Sequence, residues 1–309
     1  MPAASSLRGV WPAALTPFGD RLAVDVLQLV RHCRALLRAG CRGISLFGTT
    51  GEGTALSAGE RMTALDAVIA GGIPADRLLP ATGCCDVPST VLLSAHAASH
   101  GVAGVLALPP FYPKDAREEG IYRHFASVIE QLGATSGLRM PRLCLYNFPF
   151  HTGATLSPRL VRRLADAFPG VVTGIKDSSA DWPLSSAYLE ALPDLDVFVG
   201  DENSILSALG RNGAGAISGM ANIVAPTLIS LLEAPVKDAA GIDGIVRKTV
   251  QSVGNHPFVA TMKAVLAAHS GHAGWLAVRP PLEPLMAALG ASVLDALKAA
   301  GGSLVASHE

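Results

Sequence analysis

The segment VVTGIKDSSA, residues 171–180, decides the fold class because it joins an apolar strand to a polar turn. Its first half is a nearly continuous apolar run rich in β-branched residues, the pattern of a strand buried on both faces of a parallel sheet. Its second half begins at Lys176 and is charged and rich in hydroxyl groups, and residues 182–192 then follow a helical pattern. The segment therefore predicts one strand–helix unit with a lysine at the carboxyl end of the strand.

The same unit recurs on both sides of this segment. Eight apolar runs each precede a helix-like stretch, in the order GVWPAALT before 24–39, GISLFG before 57–70, LLPATG before 88–100, VAGVLALP before 118–132, RLCLYN before 157–168, VVTGIK before 182–192, LDVFVG before 202–210 and GAGAIS before a last helix. Eight units predict an α/β fold, a (β/α)8 TIM barrel over residues 1–235, with a C-terminal helical region over 236–309. A doubly wound sheet normally has a glycine-rich phosphate-binding turn after its first strand, and WPAALTPFGD has no such turn.

Charge and cysteine content narrow the class of partner. The 309 residues include 24 Lys and Arg against 25 Asp and Glu, for a formal net charge of −1. We expect a small-molecule partner, because this balance offers no basic surface to nucleic acid or an anionic membrane. No apolar run approaches the roughly 20 residues of a membrane span, and the N-terminus lacks a secretory pattern, so a soluble, cytoplasmic protein is expected. Five cysteines without C-x-x-C spacing predict reduced core thiols.

Reactive side chains follow the strand-like runs, whose carboxyl ends form the catalytic face of a TIM barrel. Apolar surroundings disfavour the ammonium form of Lys176, and a free amine condenses with a ketone to form a Schiff base. Tyr146 ends the neighbouring strand, about 4.8 Å away, where its phenol can transfer protons. Residues 48–53, GTTGEG, offer hydroxyl and backbone N–H groups to a carboxylate. A solvent-facing lysine and a core tyrosine stay open as alternatives at this point.

Several motifs in a fixed order resemble the dihydrodipicolinate synthase and N-acetylneuraminate lyase superfamily. They are PAALTPF, GTTGE, LPPFYPKDAREEGIYRHF, YNFP…TG, GIKDSS and GAISGMANI, and they extend over nearly the whole chain. The resemblance implies a class I aldolase or lyase with a TIM-barrel fold and no metal or other cofactor. It implies that Lys176 forms a Schiff base with pyruvate, that Tyr146 relays protons, and that the chain assembles as a homotetramer, a dimer of dimers.

The resemblance assigns further residues to the site. Thr49 is implied to link the relay tyrosine to Tyr112, which is lent across a subunit interface. Thr50 is implied to hold the carboxylate of pyruvate through its hydroxyl and amide groups. Gly48 in the same turn and Ile217 in GAISG are also expected to bind substrate.

The chain departs from the synthase pattern where the second substrate binds. The synthases carry an arginine in YN.P.RTG that grips the carboxylate of aspartate semialdehyde, and His151 stands at that position. A largely neutral imidazole cannot form a bidentate guanidinium clamp. Gly53 also replaces the serine that ends the usual GTTGES pattern, and Phe111 replaces the first tyrosine of the PYY pattern. We therefore expect an aldolase for a 2-keto-3-deoxy sugar acid or a 4-hydroxy-2-oxo acid, with 4-hydroxy-tetrahydrodipicolinate synthase as the alternative.

Two other classes of protein, a metal-dependent enzyme and a non-enzymatic binding barrel, fit the sequence less well. His96 and His100 have the i, i+4 spacing of a metal-binding pair, but HAASH lacks the glutamate of H-E-x-x-H and an obvious third ligand. A non-enzymatic barrel that binds an oxo acid would need only the carboxylate-binding turn, so the presence of both Lys176 and Tyr146 argues against it. Borohydride sensitivity and resistance to chelation would separate an aldolase from both classes.

Overall fold

The computed structural model describes residues 7–306, and its elements follow the predicted order. The strands are β1 (Gly9–Pro12), β2 (Val105–Ala107), β3 (Leu143–Asn147), β4 (Val172–Asp177), β5 (Asp196–Val199) and β6 (Gly215–Ser218). The helices are α1 (Val26–Arg38), α2 (Ala58–Ala70), α3 (Val87–Ser99), α4 (Glu118–Gly133), α5 (Pro149–Thr152), α6 (Pro158–Ala167), α7 (Trp182–Ala191), α8 (Ile205–Leu209), α9 (Ala221–Glu233), α10 (Val236–Val253), α11 (Phe258–Ser270) and α12 (Ala287–Ala299). Residues 1–6 of the predicted barrel and 307–309 of the predicted C-terminal region lie outside the described residues.

Side-chain caps fix where several helices begin. Asp25 accepts a hydrogen bond from the Gln28 amide at the start of α1. Ser57 and Glu60 form a reciprocal capping box at the start of α2. Such caps satisfy backbone N–H groups that have no partner within the helix, and each contributes about 1 kcal/mol. At these helices, short polar residues therefore fix the first turn.

One compact unit comprises the described residues up to Gly9 together with Ala75–Ile217. Its strands form a parallel sheet in the order β6-β5-β4-β3-β2, and the Gly9 amide at the start of β1 donates to the Ala214 carbonyl. The residues of β3 are all buried, as are those of β2 and nearly all of β4. The nearly continuous apolar runs thus form a sheet that is covered on both faces, as predicted.

Two predicted strands are shorter than the sequence suggests. GISLFG pairs only through a bridge between Ser45 and Ala13, and LLPATG pairs only through one between Ala81 and Leu106. The backbone still bonds in parallel fashion, since the Leu106 amide donates to the Pro80 carbonyl at 2.9 Å. Proline has no N–H group to continue a ladder, and Pro12 and Pro80 each lie beside one of these bridges. The pairing therefore ends after one or two residues.

The second unit comprises Val10–Pro74 and the described residues from Ser218 onward. Its apolar core packs Leu15, which follows β1, against the C-terminal helices. The core includes Leu15, Met220, Ile223, Val224, Met262, Val265, Trp275, Val293 and Leu297. Helices α11 and α12 cross so closely that a Cβ at Gly290 would lie 2.2 Å from the Ala264 carbonyl oxygen. The helices predicted after residue 235 are present within this unit, while a domain boundary between residues 235 and 236 stays a prediction.

Two other expectations concern the thiols and the membrane. Cys33, Cys41 and Cys144 are buried as predicted, whereas Cys84 and Cys85 are partly exposed. Burial raises the pKa of the Cys33 thiol to about 12. Within residues 7–306, none of the helices has both the length and the apolar character needed to cross a membrane.

Candidate active site

Lys176 and Tyr146 lie side by side at the carboxyl ends of two paired strands. Tyr146 of β3 is the register partner of Lys176 of β4. Both side chains are buried, with 2% of Tyr146 and 5% of Lys176 exposed. The Lys176 Nζ lies 4.2 Å from the centroid of the Tyr146 ring. Pairing thus brings an amine and a phenol together where little water reaches either.

The next pair along these strands forms a buried polar network that sequence reasoning did not assign to the site. Asn147 pairs with Asp177, and its Nδ2 donates to the Asp177 Oδ1 at 2.8 Å. Asp177 also accepts from the Ser179 amide at 3.1 Å, the Ser179 hydroxyl at 2.9 Å and the Ser185 hydroxyl at 2.5 Å. The Asn147 Oδ1 accepts from the Leu156 amide at 2.9 Å. This network connects β3, β4 and α7 next to the lysine. In the sequence it is indicated only by the polar residues that follow Tyr146 and Lys176, in YN and KD.

His151 lies beyond Tyr146 along a row of aromatic rings. The Phe148 ring stacks against Tyr146 with centroids 5.7 Å apart, and the His151 ring lies edge-on to Phe148 at 4.5 Å. Burial lowers the pKa of His151, and the charge of Lys114 lowers it further. His151 is therefore a mainly neutral imidazole at pH 7, as expected from its residue type.

Tyr112 belongs to a loop that a lysine ties to the histidine segment. The Lys114 Nζ donates to the Phe111 carbonyl at 2.8 Å and to the His151 carbonyl at 3.1 Å. The Tyr112 side chain itself is 84% exposed. A large aromatic side chain so exposed on one chain is available to a second protein surface.

The GTTGEG turn lies in the second unit, where the backbone folds tightly on itself. The Gly53 amide donates to the Gly48 carbonyl at 3.0 Å, and the Glu52 amide donates to the Thr49 carbonyl at 3.1 Å. Thr49 and Thr50 are partly exposed between these bonds. A short turn with two hydroxyl groups is thus present at the predicted position.

Gly53, which departs from the GTTGES pattern, is required by this turn. A Cβ at residue 53 would lie 1.7 Å from the Phe47 carbonyl oxygen, so no larger residue fits without moving the backbone. The following 3₁₀ turn is held by the Arg61 Nε, which donates to the Gly53 carbonyl at 2.9 Å. The backbone of this turn therefore explains why residue 53 is glycine in this chain.

The remaining candidates lie within regular elements. Ile217 is 1% exposed in β6 of the first unit. The rings of His96 in α3 and of His100, which directly follows that helix, lie 5.0 Å apart in an edge-on arrangement, as the i, i+4 spacing predicts. Neither observation tests a role in substrate or metal binding, so the predicted absence of a metal stays a prediction.

Comparisons with known proteins agree with the motif analysis. A family model described as the dihydrodipicolinate synthetase family matches residues 6–300. A 4-hydroxy-tetrahydrodipicolinate synthase of Thermus thermophilus is 35% identical over 229 residues, which cover 73% of this chain and 72% of the relative.

Solved structures show the same likeness over almost the full length. Dihydrodipicolinate synthase from Agrobacterium tumefaciens matches with a TM-score of 0.84 at 32% identity, covering 94% of this chain and 98% of that chain. YagE, a prophage protein of the dihydrodipicolinic acid synthase family from E. coli K12, was solved in complex with pyruvate. It matches with a TM-score of 0.86 at 26% identity, covering 96% of this chain and 99% of that chain. The predicted TIM-barrel class with a helical C-terminal part is confirmed.

Proposed function

Because the chain belongs to the dihydrodipicolinate synthetase family, we propose that it is a class I aldolase in which Lys176 forms a Schiff base with pyruvate. Family membership makes the chain an enzyme of the carbon–carbon lyase class. This class excludes a non-enzymatic barrel that only binds an oxo acid. The proposed reaction makes or cleaves the bond between the methyl carbon of pyruvate and the carbonyl carbon of an aldehyde.

The observation that carries this proposal is the pairing of Lys176 with Tyr146, with the amine 4.2 Å from the centre of the ring. The Lys176 amine is buried at the end of β4 beside a phenol, and a lysine amine is the group that condenses with a carbonyl to form a Schiff base. A buried phenol beside that amine is placed to give protons to, and take protons from, the pyruvate bound to the lysine. The E. coli relative that was solved with pyruvate supports pyruvate as the first substrate.

Each step assigns a proton to a group. The Lys176 amine adds to the carbonyl carbon of pyruvate, and Tyr146 protonates the carbinolamine oxygen, which leaves as water. The resulting iminium withdraws electrons, so the Tyr146 phenolate takes a proton from the methyl group and an enamine forms. The enamine carbon attacks the aldehyde, Tyr146 returns that proton to the aldehyde oxygen, and water then adds to the new iminium and releases the product from the lysine. The reverse sequence cleaves the same bond.

The other expected residues complete the proposed site. Thr50 and Gly48 in the turn bind the pyruvate carboxylate, because backbone N–H and hydroxyl groups on a tight turn favour an anion. Thr49 passes protons between Tyr146 and a Tyr112 lent by a neighbouring subunit of a homotetramer. The exposure of Tyr112 on the single chain supports that role. Ile217 lines the pyruvate site, and a cytoplasmic location stays a prediction from the sequence.

The acceptor is proposed to be a neutral, hydroxylated aldehyde, so that the product is a 2-keto-3-deoxy sugar acid or a 4-hydroxy-2-oxo acid. The lowered pKa of His151 keeps its imidazole uncharged at neutral pH. A neutral imidazole offers one donor or acceptor to a hydroxyl group and lacks the paired donors that a carboxylate prefers. The second candidate is 4-hydroxy-tetrahydrodipicolinate synthase, which the Thermus thermophilus relative favours.

A comparison of acceptors tests the proposal and separates the two candidates. The specificity constants for glyceraldehyde and aspartate semialdehyde are measured at saturating pyruvate in the wild type, Lys176→Ala and His151→Arg. We expect the wild type to prefer glyceraldehyde, Lys176→Ala to lose both activities, and His151→Arg to gain about tenfold or more toward aspartate semialdehyde, the effect of a charged hydrogen bond. Chelation should leave the wild-type rate unchanged. A wild type that prefers aspartate semialdehyde would establish the synthase instead.

A further inference from the structure

A second buried lysine, which the proposed chemistry does not use, contacts the GTTGEG turn. Lys263 of α11 is 0% exposed, and its Nζ donates to the Glu52 Oε1 at 2.6 Å. The other carboxylate oxygen of Glu52 accepts from the Arg279 amide at 2.8 Å. Glu52 itself has a φ of +53°, in the left-handed region. The last polar residue of the turn is thus held in an uncommon conformation by groups more than two hundred residues away.

Stability alone does not explain this ion pair. Both side chains are buried, and burial lowers the pKa of Lys263 while the charge of Glu52 opposes that effect. Desolvation of two buried charges offsets most of their attraction, and an apolar pair of similar volume often stabilises a fold equally well. A hydrogen-bonded ion pair differs from an apolar pair in fixing direction and distance. We therefore infer that the pair serves to fix the position and direction of the Glu52 side chain.

The same helix also approaches the turn at its first residue. A Cβ at Gly219 would lie 2.5 Å from the Phe258 ring and 3.3 Å from the Thr50 Oγ1. The glycine therefore lies between the start of α11 and the hydroxyl of Thr50. Arg279 lies in the segment after α11, and its guanidinium donates to the Ala55 carbonyl at 2.8 Å and forms an ion pair with Glu60. The C-terminal region thus supports the turn near Thr50, at Glu52 and just beyond it.

We propose that Lys263 is a positioning residue, whose ion pair with Glu52 fixes the turn so that Thr50 can hold the carboxylate of an oxo acid. This inference rests on the proposed function, since it assigns the turn to pyruvate. It gives α11 a role in substrate binding that neither GTTGE nor GIKDSS suggests. Lys263 touches no reacting atom and acts through Glu52.

The test compares pyruvate saturation with turnover in variants of the full chain. Lys263→Met with Glu52→Leu replaces the ion pair by an apolar pair and leaves no buried charge. We expect the pyruvate concentration that half-saturates imine trapping by borohydride to rise about 10- to 100-fold, the loss of one charged hydrogen bond. The turnover number at saturating pyruvate should fall much less. Met262→Leu, a volume-conserving change in the same buried helix, is the control and should leave both values unchanged.

Glu52→Gln is measured in parallel, so that a result is obtained even if the double variant fails to fold. Its amide presents a donor where either the Lys263 ammonium or the Arg279 amide donates, so half-saturation should rise here too. Wild-type half-saturation in either folded variant overturns the positioning role. A wild type that forms no imine refutes the proposed function itself, which keeps the two failures distinct.

Discussion

Asp177 provides a prediction whose magnitude follows from four hydrogen bonds. Its carboxylate is 2% exposed and accepts from Asn147, Ser185 and twice from Ser179. Asp177→Ala removes both acceptor oxygens of these four hydrogen bonds. It leaves the Asn147 amide and the Ser185 hydroxyl buried without this partner, whereas Ser179 is partly exposed and can turn to water. A stranded buried donor costs about 1–3 kcal/mol, and relief of the desolvated charge offsets part of the lost charged bonds. We expect a net loss of about 2–4 kcal/mol in the free energy of unfolding.

Asp177→Asn is the matched control because it keeps the shape of the side chain. Its Oδ1 still accepts from Asn147 and the Ser179 amide, while its Nδ2 faces two hydroxyl groups that can rotate to accept. We expect a loss of about 1 kcal/mol, from the weakening of charged bonds. Urea unfolding at one fixed protein concentration measures both variants, since oligomer stability depends on concentration. Equal losses in the two variants, or a loss below about 1 kcal/mol in Asp177→Ala, would refute this account of the network.

Three further predictions concern the relay, the turn and the acid limit of stability. Tyr146→Phe keeps the ring but removes the hydroxyl, so turnover should fall about 10²–10⁴-fold with little change in pyruvate half-saturation, and near-normal turnover would exclude the relay role. Gly53→Ser should cost at least about 1–3 kcal/mol in urea unfolding, because its Cβ meets the Phe47 carbonyl, and wild-type stability would contradict that geometry. The Arg279 hydrogen bond lowers the pKa of Glu60 from 4.5 to about 2. The ionised Glu60 carboxylate should contribute fully to the free energy of unfolding above pH 4.5, and this contribution should disappear as the pH falls toward 2. The stability difference between wild type and Glu60→Gln should therefore shrink over that pH range. Because Glu60 is partly exposed, the difference at pH 7 should be only about 1 kcal/mol, and a difference that is constant with pH would refute the assignment.

Local signals account for most of what the sequence predicted correctly. Apolar runs marked the buried strands, and helical spacing marked the stretches that follow them. Lys176 and Tyr146 could be identified because each follows its own strand, and parallel pairing then brings the two side chains together. The lengths of the two strands at Ser45 and Ala81 were overestimated, because an apolar run does not reveal how a proline limits the hydrogen bonding between strands.

Contacts between distant segments could not be predicted in the same way. The ion pair of Lys263 with Glu52 spans 211 positions, and neither residue carries a local sign of its partner. Lys263 lies in a helical stretch where an isolated lysine is ordinarily solvated, and only folding reveals its burial. Asn147 and Asp177 were visible as letters of the motifs, but their mutual hydrogen bond depends on the register of β3 and β4.

Borohydride trapping tests the central claim most directly. The protein is incubated with pyruvate, reduced with borohydride, digested and mapped by peptide mass spectrometry, with Lys176→Ala and a sample without pyruvate as controls. The account predicts a single reduced pyruvate adduct on Lys176, none on the buried and paired Lys263, and none in either control. An adduct at another lysine, or no adduct at saturating pyruvate, would contradict it.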